Sequence, residues 1–141
     1  YPKLWIPSFG AYGIKVKKPL KKHMRFVKQA SKHLARDVFH KMMLYQKKLV
    51  SKQNALNRFV DIGVDLFAMA CACSYADSLS KKGDKEKNAV ELADFFCRQA
   101  RDRIKQNFRK VYRNDDKVSK ARSKKLLAGE YNWLENDIIT E

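Results

Sequence analysis

Apolar residues along this chain recur at steps of three and four, and three long stretches carry that period. In the first, Leu20, Met24, Val27, Leu34, Val38, Met42, Tyr45 and Leu49 form one stripe. Pro19 stands where a first helical turn tolerates it. Lys22, Arg25, Lys32, Arg36 and Lys47 fill the opposite face, while Phe26, Phe39, Met43 and Leu44 fall off the stripe. Those four are expected to be partly exposed, which points to a missing partner surface. A break is expected near residues 47–51, with Ser51 as an N-cap.

The second stretch, from Gln53 to Leu79, is apolar almost all round and is interrupted by Asp61 and Asp65. Such a helix is expected at the centre of a bundle, buried on every side, and Gly83 is its natural stop. The third starts near Asp84 or Lys85. Its core side is Ala89, Leu92, Ala93, Phe96, Cys97, Ala100, Ile104 and Phe108, reaching Val111 and Tyr112. Asn114-Asp115-Asp116 reads as a turn and N-cap, after which a short fourth helix ends at Gly129. The fold class expected is all-α: an antiparallel bundle of three to four helices, at about 20–47, 52–81, 85–113 and 116–128.

Punctuation changes the picture only at the start. Of five Gly and three Pro in 141 residues, two of each lie in the first thirteen positions. Residues 1–18 also hold Tyr1, Trp5, Phe9 and Tyr12 without a helical period. They are expected to form an extended aromatic strap leading from a missing upstream domain into a helical domain over 19–141. The opening Tyr1-Pro2-Lys3 likewise fits a piece of a longer protein. Phe59 to Ala76 is the best membrane-span candidate, but its two carboxylates argue against that use.

The net charge of +16 calls for something negative: nucleic acid, an anionic membrane, an acidic partner or an anionic cofactor. The aromatics of the helices mostly follow the apolar stripes rather than the basic faces, which speaks against a nucleic-acid groove. Lys22, Arg25, Lys32 and Arg36 on the first helix are the residues expected to meet an anionic surface. The three cysteines, Cys71, Cys73 and Cys97, are odd in number and lie in apolar helical patterns, as expected of reduced buried thiols.

Candidate chemistry is thin. Asp61 and Asp65 lie one turn apart, with Arg58 one turn before Asp61. A general acid/base pair would look like this, but no nucleophile or His accompanies them. The reading adopted is a structural ion pair, with both carboxylates largely buried and at least one held by Arg58, Arg98 or Arg101. His33, Asp37 and His40 could form a three-ligand stripe, yet they are expected to face outward among lysines, where cations oppose a metal ion. Cys71 and Cys73 project to opposite sides of a helix and cannot share one metal. No phosphate loop, dinucleotide fingerprint or nucleophile elbow is present. No catalytic, cofactor-binding or metal residue is therefore assigned.

One string is more specific. Gln53, Leu56, Arg58 and Asp61 precede Val64-Asp65-Leu66-Phe67-Ala68-Met69 and then Ser74-Tyr75-Ala76-Asp77-Ser78-Leu79. Together with Phe96-Cys97-Arg98, Asn114-Asp115-Asp116 and Leu127-Ala128-Gly129, this resembles the C-terminal helical extension of very-long-chain-type acyl-CoA dehydrogenases. The likeness covers roughly residues 20–130. It departs at Ser74-Tyr75, where that family often has Ser-Arg, and in its abundance of lysine.

The resemblance implies a parent enzyme that uses FAD to oxidise long-chain acyl-CoA in fatty acid beta-oxidation. The flavin, the substrate pocket and the catalytic Glu of that parent would lie in an upstream core, so no catalytic residue carries over. It implies packing on that core or on its homodimer, and a basic, amphipathic surface offered to a membrane or partner. A bacterial cytoplasm or mitochondrial matrix, peripheral to the inner membrane, is the implied location. The rival expectation is a free-standing basic helical module for anionic lipid or nucleic acid.

Overall fold

The computed structural model describes residues 16–46, 52–82 and 88–135. The aromatic strap expected over 1–18 falls almost wholly outside them, as do Ser51, Gly83 and the expected start of the third helix. Four α-helices are present among the described residues: α1 (Lys18–Tyr45), α2 (Gln53–Ser80), α3 (Asn88–Tyr112) and α4 (Asp116–Leu127). A 3-10 turn follows at Asn132–Leu134. The chain divides into two compact units, residues 1–111 and 112–141.

The first unit is an up-down-up bundle of α1, α2 and α3. Its register can be read from individual contacts. The Lys17 N–H donates to Asp77 Oδ1 at 3.0 Å, so the start of α1 meets the end of α2. Lys52 lies over the Tyr45 ring at the other end, so these helices are antiparallel. Cys73 meets Cys97, and Asp65 meets Arg103, which makes α2 and α3 antiparallel as well. His23 meets Asp94, and His33 meets Phe108, so α1 and α3 run parallel.

The core is a single cluster of apolar side chains, with Leu20, Ile62, Met69, Cys73, Cys97, Ala100 and Ile104 fully out of water. The α2–α3 seam is lined by small residues. Cys73 and Ala76 lie on one helix, with Ala93, Cys97 and Ala100 on the other. Across that seam the Cys73 and Cys97 sulfurs meet at 3.6 Å, while the closest backbone approach in the unit is between α1 and α2.

Two expectations about which residues face inward fail. The central helix is not buried all round, since Val60, Val64, Phe67 and Tyr75 are each more than 60% exposed. Only the Phe59, Ile62, Leu66, Met69, Cys73 and Ala76 side enters the core. By length and composition α2 could also cross a membrane. Its inner face instead forms the core seam, and Asp65 reaches across to α3. On the flanking helices, Leu92, Tyr112 and Met42 belong to the expected stripes yet are exposed. Each sits at the border of its stripe, where a helix turning at 3.6 residues carries the stripe out of the seam.

Helix ends are satisfied by different means. No acidic residue stands in the first turn of α1, and the carboxylate of Asp77, from α2, supplies the negative group that an N-terminus favours. In the second unit, the Asp116 N–H donates to Asn114 Oδ1 at 3.1 Å, an Asx turn that launches α4. α4 ends in a Schellman motif. Gly129 N–H bonds to Leu126 O, Glu130 N–H bonds to Lys125 O, and Gly129 has φ +77°. A Cβ there would be left-handed and 3.1 Å from Asn132 Nδ2, so glycine is required.

Candidate functional site: interhelical charge clusters and an open helix face

The polar side chains that the bundle brings together were not singled out by sequence. His23 is fully buried on α1, and its Nε2 lies 2.8 Å from Asp94 Oδ1 on α3. A carboxylate only accepts, so Nε2 carries the proton and donates. Nδ1 is left buried without a partner among the described residues. Lys22 Nζ reaches the same Asp94 oxygen at 2.9 Å, and Arg98 Nε donates to the other oxygen at 2.7 Å. The hydrogen bond from Lys22, then those from His23 and Arg98, hold Asp94 well below the usual carboxylate range. His23 is shifted downward chiefly by burial, which outweighs the pull of Asp94. This cluster joins α1 to α3. Its signal in the sequence was Asp94, one of two aspartates in the arginine-rich third helix, facing a His just off the first apolar stripe.

Asp65 carries the second cluster. It takes Arg103 in a forked geometry, with Nη2 to Oδ1 at 2.7 Å and Nε to both oxygens at 3.2 Å. The hydrogen bond that Arg103 donates to Asp65 raises its guanidinium further above the usual range. The expected partners were Arg58, Arg98 and Arg101. Arg98 instead serves Asp94, and Arg101 lies 4.7 Å over the Phe26 ring. Arg58 engages other groups. Asp61, expected to be largely buried, is exposed on the flank of α2. The bundle therefore does not pair Asp61 and Asp65 as an acid/base dyad.

The His33, Asp37 and His40 stripe does not face outward as expected. Asp37 is buried, with Oδ1 3.7 Å from His33 Nε2 and Oδ2 without a hydrogen bond among the described residues. The His33 ring rests 4.5 Å from that of Phe108. Among the described residues no group of three or more ligand side chains could hold a metal ion.

Cys73 and Cys97 are buried with their sulfurs 3.6 Å apart, whereas Cys71, expected inside, is exposed. Sharing a hydrogen bond with Cys97, together with burial, pushes the Cys73 thiol up, so it stays protonated.

Of the four first-helix cations expected to meet an anionic surface, Lys22 is engaged by Asp94. Arg25 is exposed, and Lys32 and Arg36 are half-buried. In short, the polar geometry of the bundle does interhelical work, and its most open feature is the apolar outer face of α2.

Comparison with known proteins identifies a family for these helices. Residues 18–130 match the family described as ACAD9/ACADV, C-terminal domain. The probable acyl-CoA dehydrogenase FadE10 of Mycobacterium tuberculosis is 38% identical over 120 residues, covering 84% of this chain and 18% of that protein. The very long-chain specific acyl-CoA dehydrogenase of Rattus norvegicus mitochondria is 32% identical over 103 residues, covering 66% of this chain and 16% of that protein. The chain thus spans less than a fifth of the length of these relatives. No solved structure matches it. The match extends from the first turn of α1 to the Schellman turn after α4, and on that ground the chain belongs to the ACAD9/ACADV C-terminal domain family.

Proposed function

We propose that this chain is the C-terminal accessory domain of a flavin-dependent acyl-CoA dehydrogenase that oxidises long-chain acyl-CoA in fatty acid beta-oxidation. In this reading it holds neither flavin nor substrate. It packs on the catalytic core of its own polypeptide, within a homodimer, and turns a basic surface toward an anionic membrane. The carrying observation is the family match over residues 18–130, joined to relatives of which the matched part is less than a fifth. The use of Asp65, Asp94 and His23 in helix-to-helix contacts supports a structural role. The excess of Lys and Arg supports the anionic surface. A bacterial cytoplasm or mitochondrial matrix, with attachment to the inner membrane, is the corresponding location.

The test uses the full-length polypeptide. It should bind flavin and reduce an artificial electron acceptor with long-chain acyl-CoA, and removing residues 17–141 should leave the flavin bound. A reading frame without dehydrogenase activity would end the proposal. Co-sedimentation addresses the surface. Each Lys or Arg near an anionic bilayer contributes about 1 kcal/mol, roughly a fivefold change in partitioning. Arg25→Glu with Lys32→Glu should weaken binding to anionic vesicles and leave neutral ones unaffected, and high salt should mimic the change. Equal binding to both vesicle types would remove the membrane from the proposal.

A further inference from the structure

The seam between α2 and α3 holds two thiols that the proposed function does not use. Cys73 and Cys97 are both fully out of water, and their sulfurs are 3.6 Å apart, in hydrogen-bonding contact. Two cysteines that only filled space could turn their sulfurs apart; these turn them together. A disulfide brings its sulfurs to about 2.05 Å, so this pair has about 1.6 Å left to close. Rotation at χ1 and a small approach of the helices would supply it. The seam has slack for that approach, because α2 comes closest to α1 and not to α3. One turn to either side of the contact stand Ala76 and Ala93, then Met69 and Ala100, so an alanine gives way at each layer. Two thiols with no third ligand beside them among the described residues make a poor metal site.

We propose that Cys73 and Cys97 are a reversible dithiol–disulfide pair, a redox-sensitive staple between α2 and α3 whose oxidant is a hydroperoxide. This chemistry is independent of the accessory-domain reading and needs neither flavin nor acyl-CoA. In the reduced form Cys73 donates its S–H to Cys97 Sγ. That hydrogen bond, with the Arg101 cation behind it, holds the Cys97 thiol below its ordinary value against the opposing effect of burial. Cys97 is therefore the sulfur that ionises and attacks. Its thiolate takes the terminal oxygen of the hydroperoxide, the O–O bond breaks, and the departing alkoxide or hydroxide takes up the proton that Cys97 gave up. Cys73 Sγ then attacks the sulfur of the Cys97 sulfenic acid. Hydroxide leaves and takes the Cys73 proton as water. Each sulfur has lost one electron, and the peroxide oxygens have gained both. Burial sets the pace, since the oxidant must be small and must enter on a local opening of the seam. A thiol reductant reverses the bond by exchange. The two cysteines are 24 positions apart in the chain, so the bond also removes freedom from the unfolded state.

For the test, the full-length polypeptide is reduced with dithiothreitol, desalted and exposed to hydrogen peroxide. Trypsin then frees Cys71 and Cys73 in peptide 59–81 and Cys97 in peptide 88–98. Mass spectrometry of the unreduced digest should find these peptides joined through Cys73 and Cys97 as the main product, two hydrogens lighter than the separate pair. Dithiothreitol should part them. Cys71→Ser should leave the joined pair in place, and Cys97→Ala should abolish it. Because Cys97→Ala also alters the core, a melt of the wild-type protein accompanies it. Oxidation should raise the midpoint of the bundle by about 5–10 °C, and reductant should restore it. A link from Cys71 to Cys97 would overturn the inference, since only an unfolded seam brings those two together. Free thiols at Cys73 and Cys97 after prolonged peroxide treatment would overturn it, as would sulfinic acid at either residue without the link. A lowered midpoint would overturn it too, because the bond would then strain the fold instead of stapling it. None of these outcomes depends on dehydrogenase activity, which tests the accessory-domain reading separately.

Discussion

The two seams of α3 are built in opposite ways. Toward α2 it presents Ala93, Cys97 and Ala100, which are small, apolar and dry, with the Asp65–Arg103 ion pair at the rim. Toward α1 it presents Asp94, which gathers Lys22, His23 and Arg98, and Arg101, which lies over Phe26. The first seam draws its stability from close packing, which tolerates neither a cavity nor excess volume. The second depends on complete satisfaction of a buried polar group, and it fails when one partner is removed. A helix can thus be glued by shape on one side and by charge on the other. The two glues respond to different perturbations.

The sharpest break falls on the dry seam. Met69 is fully buried on the α2 side of the core. Met69→Ala should lower unfolding free energy by about 2–5 kcal/mol, with little dependence on pH or salt, as read from denaturant melts. A loss below about 1 kcal/mol would mean that the seam is not tightly packed.

Next comes the charged seam. Asp94→Ala leaves the buried Nε2–H of His23 without an acceptor and should cost about 1–3 kcal/mol. This seam should also respond to acid. His23 has a folded-state pKa below its ordinary 6.5, lowered by burial with Lys22 and Arg101 nearby. Its contribution is complete above pH 6.5 and is lost as the pH falls through the folded value. Asp94 acts in the same sense lower down, complete above about 3.8 and lost below it. Thermal midpoints should therefore decline from pH 7 to pH 5, and His23→Gln should flatten that decline. For one proton the slope cannot exceed about 1.4 kcal/mol per pH unit. An unchanged slope in the variant would assign the acid response elsewhere.

The smallest effect belongs to the rim. The Arg103 side chain is half exposed, so Asp65→Ala should cost about 1 kcal/mol or less despite the forked geometry, and added salt should shrink the difference. A loss several times larger would show that Asp65 works as a buried charge.

That ranking marks where the sequence was legible. The helical periods identified an all-α bundle, and Ala93, Cys97, Ala100 and Ile104 stood in the core stripe of the third helix. Pairing across helices was not legible, because it depends on register. Asp65 needed a third-helix arginine, but only the Cys73–Cys97 alignment selects Arg103 over Arg98 or Arg101. Asp94 was lost among arginines for the same reason. Asp37 looked outward because Val38 and Met42 pulled the stripe away from it, yet it is buried beside His33, whose ring rests on Phe108 of α3. The outer face of α2 misled in the other direction. A helix apolar all round can be enclosed by its own bundle or can keep one face for another surface, and periodicity does not separate the two.

The tie at Lys17 has a mechanical consequence. Its N–H is held by Asp77 and its ammonium reaches Ser80 O, both at the far end of α2. A pull on the chain ahead of Lys17 is thereby shared between two helices from the first residue, instead of peeling α1 away turn by turn. Force passes into the bundle as shear along the α1–α2 contact, the direction in which many side chains must slip together.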